Sequence, residues 1–290
     1  MRAVLVCCVC LAVFGSACRR SDQREYTLQG QVLSVAENRQ QATINHEEIK
    51  GFMAAMTMPY NVRDPKLLEG IAPGDLVNAR LIVLSNDAYL TNVKKVGQAP
   101  LPQAPAAAPA PSASSGFELL KPGEAVPDAP FVDQDGKTRT FASFKGSTVL
   151  ITFIYTKCPF PTFCPLMDRH FAAIQAALKN NSDLRGRVHL VSVSFDPLTD
   201  TPPVMKAHAR TLEADFKTWT FLTGDRDDID RFAARFGVSV VRATNDPRDI
   251  SHNLRTAIVN AEGKLVKVYI GNEWTPEQAL TDLAPLAHAG

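Results

Sequence analysis

Charge of one sign is what this chain lacks most plainly. Its 31 basic and 30 acidic side chains leave a formal net charge of +1 over 290 residues. So even a balance gives no electrostatic footprint for nucleic acid or an anionic membrane surface, and partners must be sought in particular sites. Internal repeats are absent too. Long apolar runs are scarce: the first residues, MRAVLVCCVCLAVFGSAC, hold about a dozen apolar side chains after Arg2, followed by Gly15-Ser16-Ala17. That run is too short to span a membrane and has the form of an export signal covering residues 1–18. Cysteine is scarcer than its count of six suggests. Cys7, Cys8 and Cys10 fall inside the signal, and Cys18 stands where a lipoprotein signal places its lipidated residue, although Gly15 replaces the usual Leu. The exported chain then keeps one free pair, Cys158 and Cys164, in an oxidising compartment.

What is present divides into two units. Residues 97–116, GQAPLPQAPAAAPAPSASSG, carry no charge and almost no large apolar side chain, so they cannot form a core. At about 3.1 Å per residue such an Ala/Pro linker reaches roughly 60 Å. Upstream, residues 26–96 show five short alternating runs, YTLQGQVLSV, QATINH, MTMPYNV, DLVNARLIVL and AYLTNVKKV, with Pro73-Gly74 and Asn86-Asp87 among the turn signals. Five strands in about 70 residues predict a small all-β barrel of the OB type.

Downstream, residues 117–290 alternate strands and helices. TVLITFIY and VHLVSVSF read as strands covered on both faces. Between them, Pro165 to Lys179 has helical apolar spacing at Leu166, Phe171, Ile174 and Leu178. Thr201 and Pro202 suit the start of a second helix, Gly237 the end of a third, and Thr275 the start of a last one. Two further strands, LRTAIVN and LVKVYI, flank the turn Ala261-Glu262-Gly263-Lys264. The order predicts an α/β domain of the thioredoxin-like kind.

Cys158 follows a strand and Cys164 precedes the helix that begins at Pro165, the position of reactive thiols in such a fold. Free N–H groups at a helix start favour a thiolate, and Lys157 adds positive charge. Five residues separate the cysteines, with Pro159 and Pro161 stiffening the loop. The pair alone fits a structural disulfide, a redox dithiol or half of a metal site. Peroxide chemistry fits poorly, because peroxiredoxins carry Thr three residues before the reactive cysteine and Tyr155 stands there.

TFIYTKCPFPTFCP, VSVSFDPLTDTP and DISHNLRTAIVNAEGKLVKVY resemble three ordered landmarks of the Sco/SenC family, exported thioredoxin-fold copper proteins involved in assembling cytochrome c oxidase. The resemblance implies copper, as Cu(I) or Cu(II), held by Cys158, Cys164 and His252; the place of Asp196 in the SFDP segment after a strand puts it near that site. It also implies a client copper protein such as an oxidase subunit. The family usually has three residues between its cysteines, so the loop here is wider. The competing reading is a thiol-disulfide reductase, supplied by a thiol reductant, that acts on the cysteines of a client copper protein.

INHEEIKGFMAAMTMPYNV gathers Met53, Met56 and Met58 beside His46. Met56 and Met58 alternate along a strand and share a face. Core packing is the ordinary role of such side chains, but thioethers with one imidazole are also soft ligands that favour Cu(I). The segment resembles the periplasmic copper chaperone CusF and its relatives. That resemblance implies Cu(I) at His46, Met56 and Met58, with Met53 in place of a tryptophan that lies over the metal.

Overall fold

The computed structural model describes residues 23–53, 55–101, 118–242 and 250–288. The export signal, Cys18 and most of the linker lie outside them. The N-terminal unit consists of β1 (Arg24–Val35), β2 (Gln41–His46), β3 (Met56–Asn61), β4 (Asp75–Val83) and β5 (Ala88–Gln98). They form an antiparallel sheet in the order β3-β2-β1-β4-β5. A parallel bridge from Val62 to Leu90 joins its two edges and closes it into a barrel.

Alternation decides what enters the barrel. In β2 the period that buries Ala42 and Ile44 also brings His46 inside. Gly30 of β1 lies opposite His46 in register. A Cβ at Gly30 would come within 2.5 Å of Asn45 O and 2.7 Å of His46 Cα, so the two strands approach this closely only because the residue is glycine.

The C-terminal unit runs β6 (Pro130–Asp133), β7 (Thr138–Thr140), β8 (Thr148–Ile154), α1 (Cys164–Asn180), β9 (Val188–Ser194), α2 (Pro202–Thr211), β10 (Trp219–Thr223), α3 (Arg226–Arg235), β11 (Val240–Arg242), β12 (Ile250–His252), β13 (Arg255–Val259), β14 (Leu265–Ile270) and α4 (Pro276–Leu283). The main sheet has the order β14-β13-β8-β9-β10-β6-β7. Strands β8, β9 and β10 are parallel and the outer pairs antiparallel, which is the thioredoxin-like arrangement. Every residue of β8 is buried, as a strand covered on both faces requires.

Helix α1 differs from the sequence reading in one detail. Its buried stripe is Met167, Phe171, Ile174 and Leu178, while Leu166 is only half-buried. Spacings of four, three and four residues keep Met167 on the stripe, and Leu166 falls one position off it. Thr201 does precede α2, but its hydroxyl makes no capping bond; two prolines open that helix instead. Asp225 caps α3 by accepting from the N–H groups of Asp227 and Asp228, and Thr275 forms a reciprocal capping box with Gln278 on α4.

Candidate metal centre

The end of β8, the start of α1 and the end of β12 bring three donors together. Cys158 Sγ, Cys164 Sγ and a His252 ring nitrogen lie within 4.8 Å of one another, and Cys164 Sγ is 3.7 Å from His252 Nε2. A trigonal metal with metal–sulfur bonds of about 2.3 Å spaces its donors about 4 Å apart, so this cluster needs little adjustment to close on an ion. Both cysteines are free thiols. His252 Nδ1 donates to its neighbour's carbonyl, Asn253 O, at 3.0 Å. A carbonyl can only accept, so the proton sits on Nδ1 and the Nε2 lone pair faces the sulfurs. Phe195 at 4.6 Å and Tyr155 at 5.6 Å between ring centroids hold the imidazole in place.

The two thiols are not equivalent. A hydrogen bond with Cys164 holds Cys158 well below the ordinary thiol range, against the opposing effect of burial. Burial pushes Cys164 well above that range, and the charge on Cys158 adds to the effect. The helix start does not lower Cys164 in the same way. This residue lies at the first position of α1 but only 1% exposed, where desolvation outweighs the helix dipole. Cys158 is therefore the more acidic thiol of the pair and Cys164 the less acidic.

Several positioning residues escaped the sequence reading. Asp200, fully buried, accepts from the Thr156 N–H at 2.9 Å, the Thr156 hydroxyl and the Ser194 hydroxyl, and so fixes the chain two residues before Cys158. Arg242 pairs with Asp230 and donates to Phe195 O, which ties the β11–β12 ribbon and its His252 to the end of β9. Asp196 is buried just beyond Phe195, and it is Phe195 that touches the imidazole. The only sequence signal for Asp200 was its place in the SFDPLTDTP segment.

The barrel holds the second donor group. His46 lies opposite Met56 in the β2–β3 register and is 1% exposed. Its Nδ1 donates to Glu47 O at 2.6 Å, and its Nε2 is buried without a hydrogen-bond partner among the described residues. Burial lowers the His46 pKa, with the Glu47 bond offsetting part of the effect, so the ring is a neutral ligand at neutral pH. The Tyr60 ring packs edge-on to His46 at 5.6 Å, and its hydroxyl reaches Met53 Sδ at 3.8 Å. Met58 is buried; Met53 and Met56 are half-buried. An imidazole nitrogen without a partner, on a strand paired with the one that carries Met56 and Met58, is a donor set that suits a soft monovalent ion. Part of each donor group lines one cavity of about 900 Å³: Met53, Met56 and Met58 from the barrel, and Cys158 and His252 from the other unit.

Comparison with known proteins follows the same division. The SCO1/SenC family pattern matches residues 122–288, and the pattern described as copper binding periplasmic protein CusF matches residues 25–95. A SCO1 protein homolog of Bacillus subtilis (strain 168) is 35% identical over 148 residues, covering 50% of this chain and 74% of its own. The crystal structure of a SCO1/SenC family lipoprotein from Bacillus anthracis str. Ames superposes with a TM-score of 0.51 at 29% identity, covering 59% of this chain and 99% of the other. A structure of BsSco, described as a member of the Sco family of cytochrome c oxidase assembly proteins in which a disulfide switch was identified, gives 0.50 at 29% identity, covering 60% and 100%.

Proposed function

Because the chain belongs to the SCO1/SenC family, we propose that it is a periplasmic copper chaperone whose barrel binds Cu(I) at His46, Met56, Met58 and Met53. Its thioredoxin-like unit binds copper at Cys158, Cys164 and His252 and delivers it to a client copper protein, such as a subunit of cytochrome c oxidase. The observation that carries this reading is the cluster of two sulfurs and one imidazole nitrogen within 4.8 Å, with the imidazole proton held on the far nitrogen. Thiolates retain Cu(I), and adding an imidazole lets the same set accept Cu(II). The CusF match supports the periplasmic placement and the second site. The BsSco description supports the oxidase client. No helix among the described residues is long and apolar enough to cross a membrane.

Anaerobic copper titration of the full chain tests the proposal. Two equivalents of Cu(I) should bind; His252→Ala should weaken one, and Met56→Leu with Met58→Leu should remove the other. Uptake unaffected by both variants would defeat the assignment.

The asymmetry of the thiols favours a second reading, a reductase of client disulfides. The Cys158 thiolate would attack one sulfur of the client and form a mixed disulfide. That attack breaks the client's S–S bond and releases its other sulfur as a thiolate; Cys164 then gives up its proton, attacks Cys158 Sγ and displaces the captured client sulfur, leaving the client as a dithiol and this chain as a Cys158–Cys164 disulfide. A thiol reductant would restore the pair. That activity should survive His252→Ala, whereas copper affinity should not.

A further inference from the structure

Phe160 belongs to the cysteine loop by sequence but to the barrel by packing. It is 4% exposed and buried in the barrel's core cluster. Its ring stands edge-on to Tyr60 at 5.9 Å and tilted to Phe52 at 6.1 Å, and it touches Phe163 of its own loop at 5.3 Å. Cys158 and Phe163 each pack against both hydrophobic cores. Arg169 of α1 completes the junction: its Nη2 donates to Pro161 O at 2.9 Å and to Asn86 O, in the turn between β4 and β5, at 3.2 Å. The two soft donor groups thus share one cavity. Their positions in it differ: Met53, Met56, Met58, Cys158 and His252 are on its wall, whereas His46 and Cys164 are buried and are not on it.

We infer that the chain closes on itself into an intramolecular copper-transfer complex, in which Phe160 anchors the cysteine loop in the barrel and Cys158 is the first thiolate to receive Cu(I) from the thioethers. The inference rests on the copper reading above and adds the route and the anchor. In the transfer step the ion stays Cu(I). A bond from copper to Cys158 Sγ forms as bonds to the methionine sulfurs break, and the thioethers are left neutral. Cys164 and His252 Nε2 then complete the set and the bond to His46 is released. The remaining thiol proton passes to the solvent. While the loop is docked, Phe160 occupies the barrel face at Tyr60 and Phe52, and the methionines open onto the cavity that Cys158 and His252 also line. The apolar face of the barrel therefore has this chain's own loop as its occupant.

Two measurements on the full chain test this. One equivalent of Cu(I), added anaerobically as its acetonitrile complex, should produce ultraviolet copper–thiolate absorption at a rate independent of protein concentration. Phe160→Ala should slow that arrival by about 10- to 100-fold, the equivalent of exposing a buried Phe side chain, while the total capacity stays at two equivalents. A rate proportional to protein concentration, or an unchanged rate in Phe160→Ala, overturns the transfer route. Hydrogen exchange without copper reads the docking separately. Peptides from barrel residues 49–60 should lose protection in Phe160→Ala, and identical exchange in the two proteins overturns the anchor. If the protection is lost as expected but the chain takes up no Cu(I), the docking stands and the copper reading fails, together with the transfer step.

Discussion

Replacing His46 with Leu separates a ligand from a packing residue, because the two roles predict opposite changes in stability. In the metal-free barrel Nε2 is buried without a partner among the described residues, an arrangement that costs about 1–3 kcal/mol. The Nδ1 bond to Glu47 O, at 2.6 Å, returns about 0.5–1.5 kcal/mol. Leucine removes both and is close to the imidazole in size, so the apo barrel should become more stable by about 1 kcal/mol, within a range of about −0.5 to 2.5 kcal/mol. The pH dependence should change as well. Burial lowers the folded-state pKa of His46 below the ordinary imidazole value, so the unfolded chain takes up the proton first. The stability linked to His46 is therefore complete above about pH 6.5 and is lost as the pH falls below it. His46→Leu should abolish this contribution. Urea unfolding of the metal-free full chain, read by hydrogen exchange of peptides from residues 24–98, measures both effects. The variant should also bind one equivalent of Cu(I) fewer. A loss of more than about 2 kcal/mol, the mark of a satisfied core residue, would refute the reasoning, as would unchanged copper uptake.

Gly30→Ala should destabilise the barrel by at least about 1–3 kcal/mol, the cost of overpacking, and weaken copper uptake there. The new methyl group meets main-chain atoms of Asn45 and His46, and a wild-type unfolding curve would contradict this. Limited iodoacetamide treatment of the apo chain near neutral pH should label Cys158 before Cys164, as the opposite pKa directions and the burial of Cys164 require. Peptide mass mapping would show the reverse order if the assignment were wrong. Asp200→Ala strands three donors, two on Thr156 and one on Ser194. It should cost about 3 kcal/mol of stability in the C-terminal unit and loosen copper held by the cysteines. An unfolding midpoint within error of wild type would count against that role.

The strands were the legible part of the fold, since two-residue alternation in the barrel and continuous apolar runs in β8 and β9 come directly from covering one face or two. The three donors of the cysteine site were named from short motifs and a resemblance, and the folded chain places them together. What fixes them was not visible. Asp200 and Arg242 act through bonds to residues about 44 to 47 positions away, and no local period reports such a contact. The β11–β12 ribbon is too short to produce a pattern, with three residues in each strand. Phe160, alone between two prolines, gives no periodic signal for a role in another unit's core.

Both histidines donate from Nδ1 to the carbonyl of the very next residue, Glu47 in one unit and Asn253 in the other. In each case the carbonyl that holds the ring proton on Nδ1 belongs to the adjacent residue. A strand of a closed barrel and a three-residue strand of a short ribbon, which share no architecture, thus use the same local bond to leave Nε2 free of the ring proton.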